Sequence, residues 1–203
     1  MVNLKDMAVV TETNGKDVLG NLVWYTVGEQ LIPRDVLKQK LLNAGIDEAF
    51  MPAEIRIPDA FRRATTAVER KRENGIEAGI IENYLVKEVS SDMEHVLRFI
   101  VRETKDAKGK RLEYDPRVAE ISLDKKSCSI SWVCDYDITA QEMCKEAEEL
   151  FRTFQTHHDS RSIRAMVYRI LETMAPTPVR PSGGVYFVPV KFEKELLQLV
   201  NLL

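Results

Sequence analysis

The chain has 203 residues, 44% of them hydrophobic and 30% charged, with a net charge of −3. That composition describes a globular protein able to bury a core, and it excludes a globally basic nucleic-acid coat while leaving room for local basic faces. Three cysteines, Cys128, Cys134 and Cys144, have neither the count nor the spacing of a disulfide framework or zinc knuckle. Reduced thiols are therefore expected. No apolar run approaches the ~20 residues that span a bilayer, and the N-terminus does not read as a signal peptide. A cytoplasmic protein with no membrane partner is expected.

Taken in order, residues 1–17 are mixed and read as frayed or edge-packed. Residues 20–28 are β-rich and bracketed by Gly20 and Gly28, which predicts a buried strand. Pro33 opens a helix whose apolar face is Val36, Leu37, Leu41 and Ala44, and Gly45 stops it. Residues 46–57 read as a loop. Pro58-Asp59 starts a second helix, with Phe61, Ala64 and Val68 as its stripe. Gly75 and Gly79 mark its exit, after a basic helix-to-loop stretch of Arg62, Arg63 and Arg70 with Lys71 and Arg72.

From about residue 80 the period becomes two. Residues 81–90, 96–102, 111–123 (interrupted near Asp115-Pro116) and 128–134 predict four antiparallel strands. In the last, Cys128, Ile130, Trp132 and Cys134 point one way and the serines the other. Helices then return. Thr139 and Glu142 have the spacing of a capping box, with Ile138 and Met143 placed as a staple. Met143, Ala147, Leu150, Phe151 and Phe154 follow at helical spacing. A further helix runs from about Ser160 to Met174 and ends before Pro176 and Pro178. A Gly183-Gly184 turn, a strand over 185–189 and a helix from Lys191 close the chain. Leu196, Leu197, Leu199, Val200, Leu202 and Leu203 make that helix apolar on more than one stripe. It either packs into a core or partner, or the natural chain continues past Leu203. The whole predicts one α+β domain over 1–203: strand–helix–helix at 18–75, an antiparallel β-meander at 80–134, and helices, strand and terminal helix at 138–203.

The chemistry-bearing residues are sparse. His95, His157 and His158 lack metal-ligand spacing and read as surface histidines. Cys144 falls beside an apolar stripe and reads as a packed thiol. Glu148-Glu149 and Asp135/Asp137 are the closest carboxylate groups, and they read as a solvated helix face and a loop before a cap. No metal or cofactor is expected, and no catalytic residue is assigned. Ser182, Gly183 and Gly184 can cradle an anion with their N–H groups while Arg180 adds charge, but a strand, not a helix, follows them. Arginine is suited to phosphate recognition. Arg62 and Arg63, then Arg161, Arg164 and Arg169, lie on the polar sides of helices. Tyr84 and Tyr168 can supply stacking platforms for bases.

Three segments carry a resemblance: Gly20-Asn21-Leu22-Val23-Trp24-Tyr25, Pro58-Asp59-Ala60-Phe61-Arg62-Arg63-Ala64-Thr65, and residues 180–189. Together they resemble an uncharacterised prokaryotic family also met in phages and mobile elements, over about residues 18–203. The resemblance implies a shared fold and no mechanism. It marks Asp59, Arg62, Arg63, Arg180, Gly183 and Gly184 as positions to follow, and it implies a chain that runs past the final helix.

The leading expectation is a non-enzymatic binding protein, a phage or mobile-element factor, that engages nucleic acid or an acidic partner through Arg62, Arg63, Arg161, Arg164 and Arg180 with Gly183 and Gly184. The alternatives are an assembly module that forms a homo-oligomer through residues 191–203, and an enzyme on a phosphorylated or nucleotide substrate.

Overall fold

The computed structural model describes residues 19–74, 79–180 and 184–203. The elements run β1 (Gly20–Val23), β2 (Ile32–Pro33), α1 (Arg34–Asn43), α2 (Ile57–Ala67), β3 (Arg70–Asn74), β4 (Ile80–Ser91), β5 (His95–Asp106), β6 (Arg111–Asp124) and β7 (Ser129–Val133). They continue with α3 (Ile138–Phe154), β8 (His157–His158), α4 (Ser160–Glu172), β9 (Thr177–Pro178), β10 (Tyr186–Pro189) and α5 (Glu193–Leu202). This is an α+β protein. Where one domain is expected, the chain packs as two compact units, one from Ile55 to Thr156 and one from the segments on either side of it.

The central unit is the meander with two helices. Its sheet is antiparallel in the order β3-β4-β5-β6-β7. Alternation puts Val96 and Ile100 of β5 and Ala119, Ile121 and Leu123 of β6 on one face. Phe61 and Ala64 of α2 and Met143, Ala147 and Phe151 of α3 fill the same core, with Phe61 and Phe151 edge to face at 6.2 Å. Cys144 is buried there, and desolvation pushes its thiol up to about 12, so it is inert packing. The interruption foreseen at Pro116 is a bulge. Arg102 pairs Asp115 and Ile100 pairs Ala119, so β6 carries extra residues opposite a continuous β5.

Three expectations about the elements of this unit fail. The sheet has five strands, not four, because the basic stretch from Arg70 is a strand. Its run of charges hides any alternation, which an edge strand tolerates. The cap of α3 is Asp137, whose carboxylate accepts from Ala140 N, so Thr139 lies inside the first turn. Ile138 is exposed and forms no staple.

The outer segments build the second unit. β1, β10 and β9 form a three-stranded antiparallel sheet, and β2 pairs with β8. The strand expected over 20–28 is only Gly20–Val23; the chain then leaves the sheet, although Val27 is still buried. Gly20 is required there, because a Cβ at this position would stand 2.2 Å from the Val188 carbonyl oxygen. α1 buries Leu37 and Leu41 as expected, whereas Val36 is exposed. Gly45 ends that helix at φ +73°. α4 sends Ile163, Met166, Val167, Ile170 and Leu171 inward. The apolar C-terminal helix fills this same core with Leu196, Leu199 and Leu202, which leaves Leu197 exposed. Two readings fall on residues 1–17 and on Gly75, which lie outside the described residues.

His158 corrects the reading of surface histidines. It is 2% exposed, and Arg34 Nη1 lies 2.9 Å from its Nε2. Arginine has only donors, so Nε2 accepts and the ring is neutral with its proton on Nδ1. Arg34 also donates to the Pro52 carbonyl, which ties the loop after α1 to the β2–β8 pair.

Candidate functional site

The sequence-selected arginines fall into two sets, one in each unit. In the central unit, Arg62 is exposed on α2 and is paired with Asp59 at 3.6 Å. Such an exposed pair contributes at most ~1 kcal/mol and leaves the guanidinium available. Arg63 lies with its guanidinium 4.4 Å from the centre of the Phe154 ring, so it helps to cover the core. Arg70 is a strut. It reaches Glu142 at 3.0 Å and Glu146 at 3.6 Å on α3.

In the outer unit the arginines meet aromatic rings. The inward residues of α4 fix its outward face by helical spacing: Arg161, Arg164, Ala165, Tyr168 and Glu172. Arg164 donates to the Val27 carbonyl at 2.8 Å, holding the segment that follows β1 against α4. That segment carries Tyr25. Burial raises the Tyr25 phenol above its ordinary value, followed by its neighbours Tyr186 and Tyr168, while Arg164 acts in the opposite direction. Tyr168 and Tyr186 stand 6.2 Å apart, tilted at 54°. Tyr168 is 41% exposed, and Glu172 beside it raises its phenol further.

Tyr186 is the first residue of β10, directly across from Pro178 of β9. Val179 N donates to the Val185 carbonyl and extends this hairpin, so Arg180 sits at its turn end and is exposed. Gly184 returns the chain at φ +63°, a conformation that favours glycine. Gly183 and Ser182 lie outside the described residues. The anion cradle and the phosphate-enzyme reading drawn from them cannot be placed. Among the described residues, no side chain or carbonyl partners the guanidinium of Arg161 or Arg180. The candidate face joins α4 to the β9–β10 hairpin through the Tyr168–Tyr186 pair and to the segment after β1 through Arg164.

Two of its tyrosines escaped the sequence reading, although both stand in quoted motifs: Tyr25 closes the first and Tyr186 sits in the third. The missing signal was spatial, since β1 pairs with β10 across most of the chain. Tyr84, by contrast, is no stacking platform. It is 3% exposed, and its hydroxyl donates to Asp137 at 3.0 Å. Arg169 is also occupied, donating to the Ala49 carbonyl at 3.2 Å and lying over Phe50.

The central unit also has an open polar cleft of about 320 Å³, lined by Arg102, Asp115, Arg117, Asp135, Tyr136 and Asp137. Its charges are largely committed. Asp137 caps α3 with one oxygen and meets Tyr84 and Arg102 with the other. Arg117 pairs with Glu120 and covers Phe99. The contacts of Asp137 hold the sheet to α3. Among the described residues, no three His, Cys, Asp or Glu side chains are grouped to hold a metal, and no helix is long and apolar enough to cross a membrane.

Fold and face together define an α+β protein with a mixed basic and aromatic surface. The chain belongs to a family of unknown function, DUF6744, whose model matches residues 18–203. No curated protein and no solved structure matches it.

Proposed function

We propose that this is a nucleic-acid-binding protein that holds a single strand on the arginine–tyrosine face of its outer unit. The observation that carries the reading is the Tyr168–Tyr186 ring pair beside Arg164, which shares the outward face of α4 with Tyr168 and holds the segment that carries Tyr25. Bases stack on aromatic side chains at ~1–3 kcal/mol each, and arginines track the phosphates. A purely acidic protein partner needs the arginines and not the rings, so the rings favour nucleic acid. The modest number of free arginines suits one strand better than a duplex, whose closely spaced phosphates reward a larger basic area. The sequence resemblance to phage and mobile-element proteins supplies a setting in which such a factor belongs.

Labelled single-stranded DNA, single-stranded RNA and duplex DNA, titrated at several salt concentrations, test the proposal. Single strands bind at low salt and release as salt rises. Tyr168→Ala lowers their affinity about tenfold, in line with one lost stacking platform. Failure of every oligonucleotide to bind at low salt removes the reading.

A further inference from the structure

The two edges of the central sheet are treated differently. Edge strand β3 is Arg70-Lys71-Arg72-Glu73-Asn74, four charges in five residues, with a register shift against β4. Charges and irregular register are devices that keep an edge from pairing with another chain. The opposite edge, β7, has none of them. It reads Ser129-Ile130-Ser131-Trp132-Val133, without charge, proline or bulge, in unbroken register with β6. Among the described residues no strand pairs with its outer side. Val133 is 63% exposed, and the apolar exposure continues at Tyr136 and Ile138.

We infer that β7 pairs antiparallel with β7 of a second copy of this chain, joining two sheets edge to edge. The strand is suited to itself. A two-fold register centred on Ser131 sets Ile130 of each copy opposite Trp132 of the other, a β-branched–aromatic pair of the kind that stabilises sheets. Both side chains are half-buried against their own core and gain cover from the partner. The same register sets Ser129 opposite the exposed Val133. The flanks are complementary in charge: Lys125 and Lys126 precede the strand and Asp135 follows it. Antiparallel pairing brings the basic end of one copy to the acidic end of the other. Lys126 already meets Glu94 in its own copy, yet 74% of its side chain remains exposed. A parallel arrangement would set like ends together, and an unrelated strand would have no reason to match both flanks.

Sedimentation of the full chain over a concentration series tests the pairing, and it is independent of nucleic-acid binding. A reversible monomer–dimer equilibrium is expected. Ser131→Lys places two like charges against each other on the axis, from an exposed position where it gives up one hydroxyl contact with Ser122, and weakens the dimer about tenfold or more. In a Cys128→Ser, Cys134→Ser background, Ser131→Cys gives a covalent dimer on mild oxidation, because paired Cα atoms lie about 5.5 Å apart or less. Ser129→Cys, which faces Val133 in this register, does not. A chain that stays monomeric throughout, a dimer indifferent to Ser131→Lys, or equal cross-linking at 129 and 131 overturns the inference.

Discussion

Tyr84 shows how one side chain can carry a fold's chemistry without being a site. Its ring is buried in the central core, and its hydroxyl donates to Asp137. Desolvation, then the hydrogen bond to Asp137, pushes its phenol up to about 12 from an ordinary 10.0. A folded value above the unfolded one means that unfolding releases the proton between the two. The contribution to stability is thus complete below pH 10 and is lost as pH rises toward 12. Denaturant unfolding at pH 9 and 11.5 is expected to show a steeper loss for the native chain than for Tyr84→Phe, which has nothing to titrate there. Equal losses contradict the burial of a protonated phenol. Sequence could not distinguish Tyr84 from Tyr168, since both sit in apolar runs with polar neighbours. The difference lies in the face each occupies: Tyr84 points at the helices, and Tyr168 points away from its core. His158 was hidden for a similar reason. Two adjacent histidines between helices look solvated until β2 pairs with them.

At the scale of elements, the beginning of α3 is the sharpest case. Two candidate caps lie two residues apart, and the structure chooses Asp137 over Thr139 because Asp137 also receives Tyr84 and Arg102 from the sheet. Asp137→Ala removes a cap and two sheet contacts and is expected to cost about 2 kcal/mol. Thr139→Ala is expected to cost under ~0.5 kcal/mol. Urea unfolding of the two variants distinguishes them, and the reverse order restores the capping box. The long strands β4, β5 and β6 and the helices α2 to α4 were legible because alternation and 3.6-residue spacing repeat several times within each. β3 was not legible, because its register comes from pairing with β4 and not from a pattern of its own. The short β2, β8 and β9 are likewise products of tertiary contact.

At the scale of the whole molecule, the order of periodic segments pointed to the class of fold but not to the division into two cores. The chain leaves the outer unit at Glu54 and re-enters it at His157. Such a return is invisible to any window read along the sequence. The same closure assembles the candidate face, since the pairing of β1 with β10 sets Tyr186 opposite Val23, two residues before Tyr25. The net charge of −3 is no obstacle to an anionic ligand, because a local basic face can act on a mildly acidic body. The central claim is that Arg161 and Arg180 contact the phosphates of a single strand. Affinity for a single-stranded oligonucleotide, measured against salt for the native chain and for Arg161→Ala, Arg180→Ala, tests it most directly. Each phosphate contact on a single strand contributes about 0.7 to the slope of log affinity against log salt. The account predicts a slope shallower by about 1.4 in the double variant; a slope unchanged from that of the native chain would contradict it.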